Sequence, residues 1–207
     1  MKYKTEQENF WAGEFGTKYI QRNKSAQLMA SNLSFFSKSL AKAGEISQVI
    51  EFGSNIGMNL RALNLLYPEQ KQYAVEINAD AAKELESFLG KDNVFNESIL
   101  GFNTGVKATL SLIKGVLIHI NPDSLDDVYS ILYSSSKKYI LMCEYYNPSP
   151  VQIDYRGNSD KLFKRDFAGE FMDKFKDVAL IDYGFVYKRD PAFPQDDISW
   201  FLMEKTK

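Results

Sequence analysis

Apolar positions along the chain follow a helical rhythm at first and change character near residue 47. Up to about residue 43, Ile20, Leu28, Met29, Leu33, Phe36 and Leu40 fall at roughly helical spacing, which predicts helix ahead of the main sheet. From there, short apolar runs alternate with longer amphipathic stretches. Strands are predicted at 48–52, 72–77, 94–95, 110–113 and 138–144, with helices over 56–66, 79–89 and after Pro122. Asp123 and Ser124 suit the start of that last helix, and Asp126 and Asp127 place negative charge in its first turn. The near-continuous apolar run 138–144 is what a parallel strand covered on both faces needs. The pattern then changes: 147–164 reads as an irregular polar segment, 166–175 as a short helix, and 178–187 and 198–204 as two strands around the turn-rich RDPAFPQDD. Strands alternating with helices and closing on a hairpin describe an open α/β sheet with an antiparallel edge.

Composition narrows the classes. The chain has 207 residues, 44% of them hydrophobic, and shows no repeat, low-complexity tract or linker, so it is read as one domain: a helical cap over 1–45 and a Rossmann-like core over 46–207. A net charge of -2 gives no whole-molecule attraction for polyphosphate, so nucleic acid is not an expected partner. The lone Cys143 excludes an intramolecular disulfide and a cysteine metal cluster, and with no apolar leader or membrane-length run a cytoplasmic setting is expected. With one histidine and scattered acids, no metal site is expected.

The chemistry begins at QVIEFGSNIGMNL, residues 48–60. A cofactor laid across the carboxyl ends of the strands needs close backbone approach, which Gly53 and Gly57 allow. Ser54 and Asn55 lie between them, and Asn55 stands where the dinucleotide fingerprint G-x-G-x-x-G has its central glycine. A pyrophosphate depends on that glycine, whereas S-adenosylmethionine carries no phosphate. Glu51 is placed to attract the cofactor's ammonium group or its waters. Glu76, 19 residues beyond Gly57 at a strand end, is placed to accept both ribose hydroxyls, with Ile77 beside it. In NESIL, Glu97 or Ser98 could bond an adenine amino group while Ile99 packs on the ring, and Lys114 closes the fourth strand at the same edge. Taken singly, a glycine pair or a strand-end acid is a common structural feature; strand, glycine turn, helix, strand and acid in this order form a joint constraint that points to an adenosyl cofactor. The terminal hairpin completes the pattern of the seven-stranded class I methyltransferase sheet.

The segments EFGSNIGMNL, AVEIN, KGVLIHINP, EYYNP, DYRG, LFKRDFAGEFMDKF and DYGFVYKRDPAFPQDDISWFL, with FWAGEFGTKYIQRN at the start, resemble the pseudaminic acid biosynthesis-associated methylase family over nearly the whole chain. The resemblance implies an S-adenosylmethionine-dependent methyltransferase associated with cell-surface nonulosonic-sugar pathways. One departure is Thr109, at the start of the fourth strand, where many class I enzymes carry Asp.

Candidate acceptor residues cluster beyond the later strands. His119, the only histidine, stands past the fourth strand; it reads either as a general base toward a hydroxyl or as a structural imidazole packed under the cofactor. Glu144, Tyr145, Tyr146 and Asn147 leave the fifth strand, followed by Tyr155, Arg156, Lys161, Lys164 and Arg165. Tyr146 and Arg156 join His119 as candidate catalytic groups, and the others as candidate acceptor ligands. Phenols and cations in one segment suit a small anionic acceptor, since Arg grips carboxylate and phosphate bidentately. Equally, Lys161, Lys164 and Arg165 read as a solvated face paired with Asp160 and Asp166. Trp11, Phe15 and Tyr19 recur every four residues, as on one face of a lid carrying Arg22 and Asn23 inward, although Gly13 and Gly16 oppose a continuous helix there. The leading expectation is methyl transfer from S-adenosylmethionine to a small anionic acceptor. The alternatives are a non-catalytic adenosyl-binding module and an NAD-dependent oxidoreductase.

Overall fold

The computed structural model describes residues 3–20, 24–155 and 158–206, the side chains of 158–160 excepted. Three helices precede the sheet: α1 (Glu6–Ala12), α2 (Glu14–Ile20) and α3 (Ala26–Ser39). The break the glycines imply falls at Gly13, while Gly16 is accommodated inside α2. A reciprocal capping box starts α1: Thr5 Oγ1 accepts from the Glu8 amide, and the Glu8 carboxylate accepts from the Thr5 amide.

Strands β1 (Gln48–Phe52), β2 (Lys71–Val75), β3 (Val94–Phe95), β4 (Ala108–Lys114) and β5 (Ser136–Glu144) pair in parallel, and β8 (Val178–Val186) and β9 (Ile198–Lys205) add an antiparallel hairpin. The spatial order is β3-β2-β1-β4-β5-β9-β8. The seven-stranded sheet with its terminal hairpin is therefore as the apolar pattern predicts. Helices α4 (Met58–Leu66), α5 (Ala79–Leu89), α6 (Leu125–Ser135) and α7 (Phe167–Lys174) provide the covering layers.

Strand alternation feeds two cores. In β5, Tyr139, Leu141 and Cys143 join Phe36, Leu60, Leu63 and Leu85 of α3, α4 and α5, while Ile140 and Met142 join Val128, Leu132 and Phe171 of α6 and α7. Burial on both sides is why this strand reads as a continuous apolar run.

One element departs from expectation. Residues 147–164 are not irregular: β6 (Val151–Tyr155) and β7 (Asn158–Lys164) form a separate antiparallel hairpin. The alternation of Val151, Ile153 and Tyr155 is the period-2 signal, obscured by interleaved polar residues because β6 is largely exposed.

Phe171 is fully buried, its ring edge-on to Tyr129 with centroids 5.9 Å apart. Phe171→Ala is expected to lower unfolding free energy by about 3–5 kcal/mol in urea denaturation.

Candidate functional site

Chain order reverses between β1 and β4, and beyond the carboxyl ends of β1, β2 and β4 lies a cavity of about 590 Å³. A switch-point crevice is where open α/β sheets hold ligands, and the volume falls in the range of small-molecule sites. Gly53, Ser54, Asn55, Glu76, Ile77, Ser98, Ile99 and Lys114 all line it, as do Trp11, Tyr19 and His119. The sequence therefore brings most of the expected cofactor set to one wall.

The glycine turn is built for close packing. Gly53 has φ +71° and an added Cβ would lie 2.4 Å from Val116 Cγ2; Gly57 has φ +79° and its Cβ would lie 2.7 Å from Leu85 Cδ2. At both positions a side chain would be strained by the positive φ and would have to displace the Val116 or Leu85 side chain. Between them Asn55 also takes positive φ, which Asn tolerates better than most residues, and its amide donates to Glu76 Oε2 at 2.7 Å. The other carboxylate oxygen of Glu76 accepts from the Asn78 amide at 2.7 Å. Glu76 thus joins two loops while lining the cavity; burial raises its pKa, and the backbone donors oppose that shift.

Asn78, unremarked in the sequence, extends this connection to the cap. Its Oδ1 accepts from Asp80 and Ala81 at the start of α5, and its Nδ2 lies 3.3 Å from the carbonyls of Trp11 and Gly13 and 3.2 Å from Thr17 Oγ1. Lys4 Nζ donates to the Leu100 carbonyl at 3.1 Å, tying the start of the cap to the loop after β3. Trp11 and Tyr19 are brought over the cavity from separate helices, with ring centroids 5.4 Å apart. Phe15 packs on Trp11 and Tyr155 and does not line the cavity. The expected roles of Arg22, Asn23 and Arg156 lie outside the described residues.

Glu51 stands differently from expectation. It is behind the wall, where Oε1 accepts from Asn59 Nδ2 at 2.6 Å and Asn59 takes the lining position. Its Oε2 has no hydrogen-bond partner among the described residues, and burial pushes its pKa up to about 8. On the opposite wall, Gln195 of the β8–β9 loop donates to Asn32 Oδ1 at 3.0 Å, with its own Oε1 buried and without a partner among the described residues. No spacing rule marks Asn32, Asn59 or Gln195 in the sequence, because α3, α4 and the β8–β9 loop converge only in the fold.

Glu144, expected as a substrate ligand, does not line the cavity. It is buried, and its two oxygens accept from the amides of Val116 and Leu117 at 3.0 and 2.9 Å and of Ile118 at 3.4 Å, fixing the turn Leu117–His119. Burial raises its pKa to about 7 against these donors. Tyr146 is also displaced from its expected catalytic place: it is exposed, outside the cavity, near Phe201. Asn147 turns back to the Ser149 carbonyl, a local bond that leaves it away from the cavity. Tyr145 is half-buried behind the wall, with its phenol pKa raised by burial.

The cations are largely engaged. Lys161 Nζ is 3.2 Å from Glu6, Arg165 Nε is 2.6 Å from Glu170, and Lys164 Nζ lies 5.0 Å over the Tyr145 ring. None of the three lines the cavity. Lys161 and Arg165 pair with Glu6 and Glu170 rather than with Asp166, which instead caps α7 through the Gly169 amide.

His119 is buried between Trp11 and Tyr155, with centroids 4.7 and 5.0 Å away. Its Nδ1 lies 2.5 Å from the Lys161 carbonyl, and burial lowers its pKa to about 4. The ring is therefore neutral at physiological pH.

No protein-family model and no curated protein matches the sequence. Solved structures do share the fold. Magnesium protoporphyrin IX methyltransferase from Synechocystis PCC 6803, with bound S-adenosylmethionine, superposes with a TM-score of 0.68 at 10% identity, covering 99% of this chain and 100% of that one. The Burkholderia thailandensis 1,6-didemethyltoxoflavin-N1-methyltransferase, with bound 1,6-didemethyltoxoflavin and S-adenosylhomocysteine, gives 0.69 at 13%, covering 97% and 87%. An S-adenosylmethionine-dependent methyltransferase from Clostridium acetobutylicum gives 0.64 at 10%, covering 94% and 98%. The architecture is that of class I methyltransferases.

Two outcomes follow from the buried acids. Glu144→Gln replaces an acceptor oxygen with a donor facing backbone amides and is expected to cost about 1–3 kcal/mol in urea denaturation. Glu51 has a folded pKa of about 8 against an ordinary 4.5, so its protonated form favours the fold at low pH and that contribution falls as pH rises from 4.5 through 8. His119 has the opposite sign and stops contributing a slope above its ordinary 6.5. Between pH 6.5 and 8, Glu51→Gln should therefore reduce the loss of stability by about 1–2 kcal/mol, measured by urea titrations at the two pH values.

Proposed function

We propose that this protein is an S-adenosylmethionine-dependent methyltransferase acting on a small acceptor. The observation that carries the reading is Glu76, buried at the end of β2 on the cavity wall and bonded to the glycine-turn backbone at Asn55. Its carboxylate accepts from the backbone of Asn55, Asn78 and Ile77 and retains lone-pair capacity for a ribose hydroxyl, since a carboxylate offers about four acceptor sites. Ile77, Ser98 and Ile99 would border the adenine. Lys114, Asn59 and Gln195 would meet the charged methionyl end, where a buried amide oxygen otherwise lacks a partner.

S-adenosylmethionine, when bound, supplies an electrophilic methyl group on a sulfonium. The chain's own contribution is to align an acceptor and exclude water, for which proximity supplies much of the rate. His119 would accept a hydrogen bond or proton from an acceptor hydroxyl; its low basicity makes orientation the larger part of that role. The finer reading, an anionic nonulosonic acid or sugar nucleotide of cell-surface glycan synthesis, rests on the sequence resemblance. Engagement of Lys161 with Glu6 and of Arg165 with Glu170 weighs against these two cations as its ligands. The same pairing favours, as a second reading, an adenosyl-binding module without turnover. An NAD enzyme is the weakest alternative, because the Asn55 amide that would face a pyrophosphate is taken by Glu76.

Isothermal titration with S-adenosylmethionine, S-adenosylhomocysteine and NAD tests the reading. Both adenosyl ligands are expected to bind and NAD is not, and Glu76→Ala should weaken both by about tenfold or more while the protein stays folded. Absence of adenosyl binding, or an unchanged affinity in Glu76→Ala, overturns it. Formation of S-adenosylhomocysteine with a panel of hydroxylated acceptors separates the enzyme from the module.

A further inference from the structure

Lys161 of β7 makes two contacts that point to different parts of the site. Its carbonyl oxygen lies 2.5 Å from His119 Nδ1, and its ammonium lies 3.2 Å from the Glu6 carboxylate at the start of α1. A carbonyl oxygen can only accept, so Nδ1 carries the hydrogen and Nε2 of the neutral ring is the bare nitrogen. Across the ring, Trp11 on the same helix as Glu6 packs at 4.7 Å and Tyr155 on the partner strand of the hairpin at 5.0 Å. The Lys161 side chain is 12% exposed and packs against the protein, while its partner Glu6 is 87% exposed, so the pair bridges from the protein surface to solvent.

We propose that Lys161 is a positioning residue that links the α1 cap to His119: its backbone carbonyl selects the Nδ1–H tautomer, and its ammonium holds α1 in place so that Trp11 covers the ring. Seating the cap and presenting the bare Nε2 are then one structural event. The role deepens the proposed methyltransferase reading, because it makes readiness of the acceptor-side nitrogen depend on closure over the donor. Charged or titratable groups on the elements packed around the ring are Glu6 and Glu8 of α1, Asp154 and Tyr155 of β6, Asp160, Lys161 and Lys164 of β7, and Glu144 under the His119 turn.

The test exploits the single histidine. Full-length protein labelled with ¹⁵N-histidine yields one imidazole spin system, whose nitrogen shifts report tautomer and titration midpoint directly. The wild type is expected to show the Nδ1–H tautomer and a midpoint near about 4. Glu6→Gln and Lys161→Met are both expected to raise the midpoint toward about 6.5 as water reaches the ring, and Lys161→Arg should restore it. Charge removal alone predicts opposite signs: losing the Lys161 cation raises the midpoint, whereas losing the Glu6 anion lowers it. An upward shift in Glu6→Gln therefore supports the link. An Nε2–H tautomer in the wild type, or a Glu6→Gln midpoint that falls or stays put, overturns it. S-adenosylhomocysteine titration of the same wild-type sample is read separately: failure to bind defeats the methyltransferase reading, while the imidazole spectrum still decides the role of Lys161.

Discussion

The site depends on one carboxylate placed between two loops. Glu76 accepts from the amide of Asn55 on one side and of Asn78 on the other, each at 2.7 Å, and so fixes the glycine turn relative to the end of β2. Asn78 carries the connection onward to α5 and to the carbonyls of the α1–α2 junction. The glycine turn, the second strand and the cap are thereby held as one wall. Without this carboxylate the backbone donors on both sides would face a cavity with no fixed partner, at the cost that accompanies any buried unsatisfied amide.

Two further strand-end acids repeat the device with different donors. Glu51 at the end of β1 is held by Asn59, and Glu144 at the end of β5 by three consecutive turn amides. Burial raises the pKa of all three acids, so each opposes a desolvation penalty with hydrogen bonds, and the balance differs at each. Glu144 serves loop geometry outside the cavity; Glu76 combines that service with a position on the wall. Acidic residues at equivalent strand ends are thus not equivalent in their position relative to the cavity.

The fold and the residues of the cavity wall were largely legible in the sequence because they rest on local patterns. Short apolar runs alternating with amphipathic stretches located the strands, and the spacing from Gly57 to Glu76 is set by one helix and one strand, a distance the fold scarcely varies. The acceptor side was less legible. Glu144 looked like a ligand because sequence shows a strand-end acid without showing which way its oxygens are claimed. Lys161 and Arg165 read either as acceptor ligands or as paired with Asp160 and Asp166, and their actual partners Glu6 and Glu170 were not legible because one lies 155 residues away. The β6 strand of the second hairpin was hidden by its exposure, since a strand that buries little needs little apolar sequence. Asn78 had a local signal, a cap residue two positions after Glu76, and its contact with α1 had none.

The central claim is that Glu76 positions an adenosyl ligand in the switch-point cavity. A crystal structure of the protein with S-adenosylhomocysteine tests it most directly. The account predicts ribose oxygens within hydrogen-bond distance of the Glu76 carboxylate, with the Asn55 and Asn78 bonds retained. A ligand bound elsewhere, or bound in the cavity with its ribose away from Glu76, would contradict it.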